Sequence, residues 1–158
     1  MYRYIFLLAF FSCGSRVELP AIDVDPALEP FLVHYLEVAP DVGRIGALRK
    51  LRFGDLEPRY MGVCAEYTAG GREWSEVVIS PNLPGYMLVV VVYHELLHCV
   101  HGRGHTEDPD AIMAPYIRWD AEYWEANLDE QLAASFAEGV RDEPNRSAKT
   151  RPRGMGAE

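Results

Sequence analysis

Basic residues and cysteines are both scarce in this chain. Its 158 residues include 15 Lys and Arg against 24 Asp and Glu, which gives a net charge of −9. This balance argues against nucleic acid as a partner, because binding to phosphates needs clustered basic side chains. Three cysteines cannot form a dense disulfide framework, and a single domain of this length buries enough surface to fold without one.

The N-terminal segment lacks the length of a membrane span. Its apolar run, Tyr4 to Phe11, is far shorter than the ~20 residues that cross a bilayer. Its length and the preceding Arg3 instead match a secretory signal. The run ends at Ser12-Cys13-Gly14, which resembles a bacterial lipoprotein signal in which the cysteine is lipidated. We therefore expect residues 1–13 to be a signal segment and the protein to be exported to the cell envelope or the extracellular space. A lipid on Cys13 would then be the only membrane attachment of the protein. The alternative is that the signal segment is cleaved without lipidation.

Apolar periodicity and chain breakers predict a tether over residues 14–25, a folded domain over 26–140 and a disordered tail over 141–158. Within the domain, capping residues and helical spacing predict helices, and β-branched runs between turn residues predict strands. The predicted elements are a helix from Pro26 to Pro40 capped by Asp25, strands over 59–68 and 73–80 joined by a turn at 69–72, a buried helix over 85–101 and a helix over 120–138 capped by Asp120. Residues 47–53 fit a helical turn or a strand.

Cys64 and Cys99 allow two interpretations. In an oxidising compartment they can form a disulfide. In a reducing one they would act as small buried apolar residues. The sequence leaves both open, because it does not give the distance between their Cα atoms.

The sequence His94-Glu-Leu-Leu-His98 carries the clearest chemical motif. Because residues four apart lie on one face of a helix, both imidazoles can bind one metal ion at about 2.0–2.1 Å, the usual Zn–N distance. Glu95 lies next to the first ligand and can hydrogen-bond a water on the ion without occupying a coordination position. This is the HExxH arrangement of zinc peptidases. The sequence therefore predicts a Zn²⁺ site with Glu95 as the catalytic residue.

A catalytic zinc site usually has three protein ligands and a water, so the motif lacks one ligand. On a continuous helix, His101 would lie about 10.5 Å along the axis from His94, which is a poor position for a tetrahedral corner. A chain that breaks at Gly102 can bring His105 back from another direction. We therefore predict His105 as the third ligand and expect His101 to lie behind the ligands or to be exposed.

Beyond the motif, the sequence resembles the metzincin zinc endopeptidases, and the matrixin branch most of all. HExxH is followed by a glycine and a third histidine, as in HExxHxxGxxH. Met113 lies eight residues after His105 within Ala111-Ile-Met-Ala-Pro115, which resembles the typical sequence of the matrixin Met-turn. The departure is one extra residue, because Gly102 and His105 each lie one position further from His98 than in that family. The resemblance covers residues 85–117.

The resemblance implies an α+β zincin domain. In this fold a short twisted sheet packs on a buried active-site helix, followed by the Met-turn and a C-terminal helix. It also implies that Met113 forms an apolar floor under the zinc. One strand within residues 60–80, which we expect to be one side of the Gly70-Gly71 hairpin, would bind a peptide as an added strand.

The implied function is a zinc-dependent endopeptidase that acts on a protein or peptide substrate. Glu95 would accept the proton of the attacking water as general base and pass it to the leaving amine. Tyr116 is a candidate for holding the oxyanion.

Three other interpretations stay open. A gluzincin-like peptidase would take Glu125, within Glu125-Ala-Asn-Leu-Asp129, as third ligand. An SprT-like metalloprotease would fit His101-Gly102 soon after the motif. A non-catalytic metal-binding lipoprotein of the envelope would keep the site for structure alone.

Overall fold

The computed structural model describes residues 21–41 and 43–137. The predicted signal segment 1–13, most of the predicted tether and the predicted tail 141–158 lie outside these ranges. Three helices and four strands form one small α+β domain, which confirms the predicted class. The elements are β1 (Asp23–Val24), α1 (Glu29–Val38), a 3₁₀ turn (Ile45–Ala47), β2 (Leu48–Phe53), β3 (Gly62–Ala69), β4 (Arg72–Ile79), α2 (Gly85–His101) and α3 (Ala121–Ala137). None of the helices within the described ranges is both long enough and apolar enough to cross a bilayer.

The sheet has the order β1-β2-β4-β3. Strands β1, β2 and β4 run parallel, whereas β3 runs antiparallel to β4. A two-residue turn joins β3 to β4, and both of its residues, Gly70 and Gly71, have positive φ values of 59° and 74°. Glycine adopts this geometry without steric cost, and such turns match the twist of antiparallel strands. Because β4 pairs with β2 on its other side, β3 lies at one edge of the described sheet.

Helix α2 forms the centre of the domain. It contacts β3 and β4 as well as α1 and α3, and every residue from Val90 to Val100 is buried. The β-branched run Val89–Val92 favours a strand locally, but a helix satisfies its own backbone hydrogen bonds in a position covered on all sides. The observed bounds equal those predicted for the buried helix.

A disulfide joins the edge strand to this central helix. It links Cys64 on β3 to Cys99 on α2, with their Cα atoms 5.5 Å apart and a sequence separation of 35 residues. Of the two interpretations that the sequence allows, the structure has the paired one.

The ends of several elements differ from the sequence prediction. Helix α1 begins at Glu29 rather than at Pro26, because the carbonyl of Asp25 accepts hydrogen bonds from the amides of Leu28 and Glu29 in a preceding turn. The end of the predicted tether belongs to the fold, because Ile22 and Val24 are buried and β1 pairs with β2.

Other predicted elements need smaller adjustments. The ambiguous segment 47–53 is mostly strand, and the first predicted strand begins at Gly62 instead of Arg59. The cap of α3 is observed as predicted, since the side chain of Asp120 accepts a hydrogen bond from the amide of Tyr123 at 3.0 Å. Asp120 thus satisfies an amide that the first turn of the helix leaves free.

Candidate metal centre

Two histidines of α2 form the base of the site. His94 and His98 lie one helical turn apart, and both are buried, with 6% and 9% of their surface exposed. Their Nε2 atoms are 3.1 Å apart. The helical spacing alone produces this approach, since side chains four residues apart share a face.

The chain turns sharply after α2 and brings a third histidine to the pair. Gly102 adopts a φ of 64° and ends the helix, and its amide donates to the carbonyl of His98 at 3.0 Å. This is the left-handed glycine cap common at helix ends. Beyond it, the Nε2 atom of His105 lies 3.2 Å from that of His98 and 3.3 Å from that of His94.

The triangle of Nε2 atoms fits one metal ion. Two nitrogens bound to zinc at about 2.0–2.1 Å in tetrahedral geometry lie about 3.3–3.4 Å apart, close to the observed separations of 3.1, 3.2 and 3.3 Å. Among the described residues, these three histidines form the one group of His, Cys, Asp or Glu side chains that can hold a metal ion. Because His105 is exposed, the group is accessible from solvent on that side.

Backbone carbonyls orient two of the three rings. The Nδ1–H of His94 donates to the carbonyl of Ile112 at 2.7 Å, and that of His98 donates to the carbonyl of Arg103 at 2.5 Å. A carbonyl can only accept, so both rings carry their proton on Nδ1 and present a lone pair at Nε2. Lone pairs that face one another at this distance are stabilised by a cation between them. The donor set therefore fits a metal ion.

Burial also keeps these rings in the state that binds metal. It lowers the pKa of His94 to about 3 and that of His98 to about 4. Both imidazoles are therefore neutral near pH 7, as metal ligands must be.

Glu95 lies between α2 and the edge strand. Its side chain is almost fully buried, with 7% of the residue exposed, and it packs against Gly62 of β3. A Cβ at Gly62 would lie 2.6 Å from Cγ and 2.9 Å from Oε1 of Glu95, so the carboxylate occupies space that only glycine leaves free. Burial raises the pKa of Glu95 to about 8, although a hydrogen bond from the backbone of Cys64 lowers it by a smaller amount.

The turn after His105 is buried and is bonded to the segment that carries the third ligand. Ile112 and Met113 are buried, and the carbonyl of Met113 accepts a hydrogen bond from the amide of Thr106 at 2.9 Å. This bond ties the predicted Met-turn to the segment that carries His105. The sequence predicts Met113 as an apolar floor, and its burial is compatible with that role.

Three other candidate residues stand outside the triangle of histidines or are not located by a contact with it. His101 is neither exposed nor beside the ligands: its Nδ1 lies 2.6 Å from the hydroxyl of Tyr35 on α1. Glu125 is exposed on α3 and does not belong to the group of possible ligands. Tyr116, the candidate for the oxyanion, is 87% exposed.

Sequence reasoning missed three contributors to the site. Gly62 makes room for Glu95, and the carbonyls of Ile112 and Arg103 orient the first two ligands. Backbone carbonyls leave no trace in a sequence. The glycine at the start of β3 is a weak signal that a neighbouring group approaches the strand closely.

Comparison of the chain with models of protein families, with curated proteins and with solved structures gives no match. The resemblance to the metzincins therefore stays a prediction that rests on the residues of this chain.

Proposed function

We propose that this protein is a zinc-dependent endopeptidase with a metzincin-like site. The observation that carries the proposal is the convergence of the Nε2 atoms of His94, His98 and His105 within 3.3 Å of one another. A structural zinc site is normally closed by a fourth protein ligand, whereas a catalytic one keeps a position open. Three imidazoles with Glu95 next to the first of them fit the catalytic kind.

The residues of the chain have distinct roles in this proposal. The three histidines hold the ion, and Glu95 accepts the proton of the attacking water at its carboxylate and then donates it to the leaving amine. When bound, zinc lowers the pKa of a coordinated water and polarises the scissile carbonyl. The carboxylate form of Glu95 is favoured by a neighbouring divalent charge, which offsets the effect of burial on its pKa.

The edge strand supports a peptide as substrate. Strand β3 pairs with β4 on one side, and its other side has no partner strand among the described residues. An extended peptide can add to such an edge through backbone hydrogen bonds. Because Gly62 of β3 packs against Glu95, a peptide along this strand would pass near the general base.

We further propose that the protein is exported and acts in the cell envelope or outside the cell, where Cys13 can carry a lipid anchor. The Cys64–Cys99 disulfide supports this location, because disulfides persist in oxidising compartments and are rare in the cytosol.

The test combines metal analysis with a cleavage assay. Purified wild-type protein should contain one zinc ion per chain and cleave members of a quenched fluorescent peptide library. Glu95→Gln removes the base but keeps the size of the side chain, so it should retain zinc and lose at least about 100-fold in kcat/KM, the usual contribution of a general base.

Glu125→Gln is the matched control. Glu125 is exposed, so this variant should retain both zinc and activity, whereas a gluzincin-like site would lose its metal. His105→Ala should lose zinc affinity. A wild-type protein that binds zinc without cleaving any peptide would favour the non-catalytic interpretation. Equal cleavage by Glu95→Gln and wild type would remove the proposed base.

A further inference from the structure

The third ligand is carried by a segment with little stiffness of its own. Between the end of α2 and His105 the chain reads Gly102-Arg103-Gly104. Glycine allows more backbone conformations than any other residue. The local sequence therefore does not hold His105 at the triangle, and some contact outside this segment must do so.

Arg103 supplies contacts of this kind in three directions. Its carbonyl accepts the Nδ1–H of His98, and its amide donates to the carbonyl of Leu97 at 3.1 Å. Its guanidinium donates to the carbonyl of Phe136 in the last turn of α3, at 3.0 Å. A cation near a helix C-terminus is favourable, because the last carbonyls carry partial negative charge.

We propose that Arg103 is a positioning residue for the third metal ligand. By fixing the centre of the Gly-Arg-Gly segment to α3, it holds His105 within reach of the pair on α2 and holds the carbonyl that orients His98. It touches neither the ion nor the substrate. The inference rests on the proposed metal site, and it adds that the side chain of Arg103 couples the C-terminal helix to that site.

Cobalt binding tests this coupling. Co²⁺ substitutes for zinc in histidine sites, and its visible absorption is stronger in tetrahedral than in octahedral geometry. Arg103→Met keeps the aliphatic stem but removes the donors, so we expect a 10- to 100-fold loss of Co²⁺ affinity, the usual effect of removing a group that orients ligands. The visible bands should also weaken, because His105 leaves the ion.

Two further variants define the mechanism. Arg103→Lys keeps the charge and one donor toward Phe136, so its affinity should lie between those of wild type and Arg103→Met. In a His105→Ala background, Arg103→Met should have much less effect, because the ligand that it positions is already absent. Arg59→Met is the matched control, since Arg59 is exposed and its guanidinium pairs with Glu57 and lies over the ring of Tyr60, none of which belongs to the site.

The outcomes separate this inference from the proposed function. If wild type binds no Co²⁺, the proposed function fails. If wild type binds Co²⁺ and Arg103→Met binds it equally with the same spectrum, the metal site stands and the positioning role is overturned. Far-UV circular dichroism checks the fold. If Arg103→Met is unfolded, Arg103→Lys decides: weaker binding at native helix content supports the role, and unchanged binding overturns it.

Discussion

Removal of the Cys64–Cys99 disulfide is the perturbation whose magnitude the structure defines best. The bond closes a loop of 35 residues and fixes edge strand β3 to helix α2. In the chain-entropy model, a cross-link of this span stabilises the folded state by about 3.8 kcal/mol at 25 °C, because it restricts the unfolded chain. Small domains have total stabilities of about 5–15 kcal/mol, so the effect is large.

The double variant Cys64→Ala/Cys99→Ala should therefore lose about 4 kcal/mol of unfolding free energy. Urea denaturation of the metal-free protein measures the loss, with the fluorescence of the buried Trp124 as the probe. Wild type with its disulfide reduced by a dithiol should lose a similar amount. Zinc affinity should change little in both, because no metal ligand lies in β3 and the ligand rings are oriented by carbonyls outside it.

The disulfide also holds the strand that packs on Glu95. We therefore expect peptide cleavage by the double variant to fall more than its zinc affinity. A loss of unfolding free energy below about 1 kcal/mol, far under the loop-closure value, would refute the reasoning. So would titratable thiols at Cys64 and Cys99 in the native wild-type protein under oxidising conditions.

Three further predictions concern the surroundings of the site. Gly62→Ala places a Cβ 2.6 Å from Cγ of Glu95, so it should lower kcat/KM at least about tenfold and destabilise the protein by roughly 1–3 kcal/mol, while zinc is retained. In the control Gly46→Ala, the new Cβ meets nothing within 4 Å, so activity, stability and zinc content should stay unchanged in the same assays. His101→Gln should destabilise the protein, because it disturbs the contact with Tyr35. Its zinc affinity, measured by chelator competition, should stay within about twofold of wild type, since His101 lies outside the coordination sphere; a large loss of zinc affinity would make His101 a ligand. Burial lowers the pKa values of the two α2 ligands from 6.5 to about 3 and about 4, and it raises that of Glu95 from 4.5 to about 8. The histidines therefore cost stability as pH falls below about 6.5, and the carboxyl costs stability as pH rises from about 4.5 toward 8. Below about pH 6.5 the histidines together outweigh the one carboxyl, so urea denaturation of metal-free protein should give a maximum of the unfolding free energy near pH 6.5. In Glu95→Gln the unfolding free energy should no longer decline above the pH of the maximum. If that decline persists in the variant, it does not come from Glu95.

Local patterns predicted several parts of the fold correctly. The Gly70-Gly71 turn, the buried helix α2 and the Asp120 cap each depend on residues close in sequence, and each is observed. The start of α1 was predicted wrongly because the Asp25-Pro26 pair, typical of a helix start, begins a turn instead. Its hydrogen bonds delay the helix until Glu29.

The candidate site divides in the same way. Helical geometry places His94 and His98 side by side, so the sequence alone predicts that pair. It left three candidates for the third position, because the path after Gly102 depends on packing against distant parts of the chain. The structure brings His105 to the pair, turns His101 toward α1 and leaves Glu125 on the surface.

By itself, the sequence determined the HExxH pair, the glycine that ends α2 and the hairpin, because each of these depends on bonds and contacts within a few residues. Three other features follow from long-range packing: which strand lies at the sheet edge, the pairing of two cysteines 35 residues apart, and the room that Gly62 leaves for Glu95. The tertiary structure also decided that Arg103 reaches the end of α3. These features depend on how helix α2 packs between the sheet and the other helices, and the free energy of that packing is shared by residues far apart in sequence.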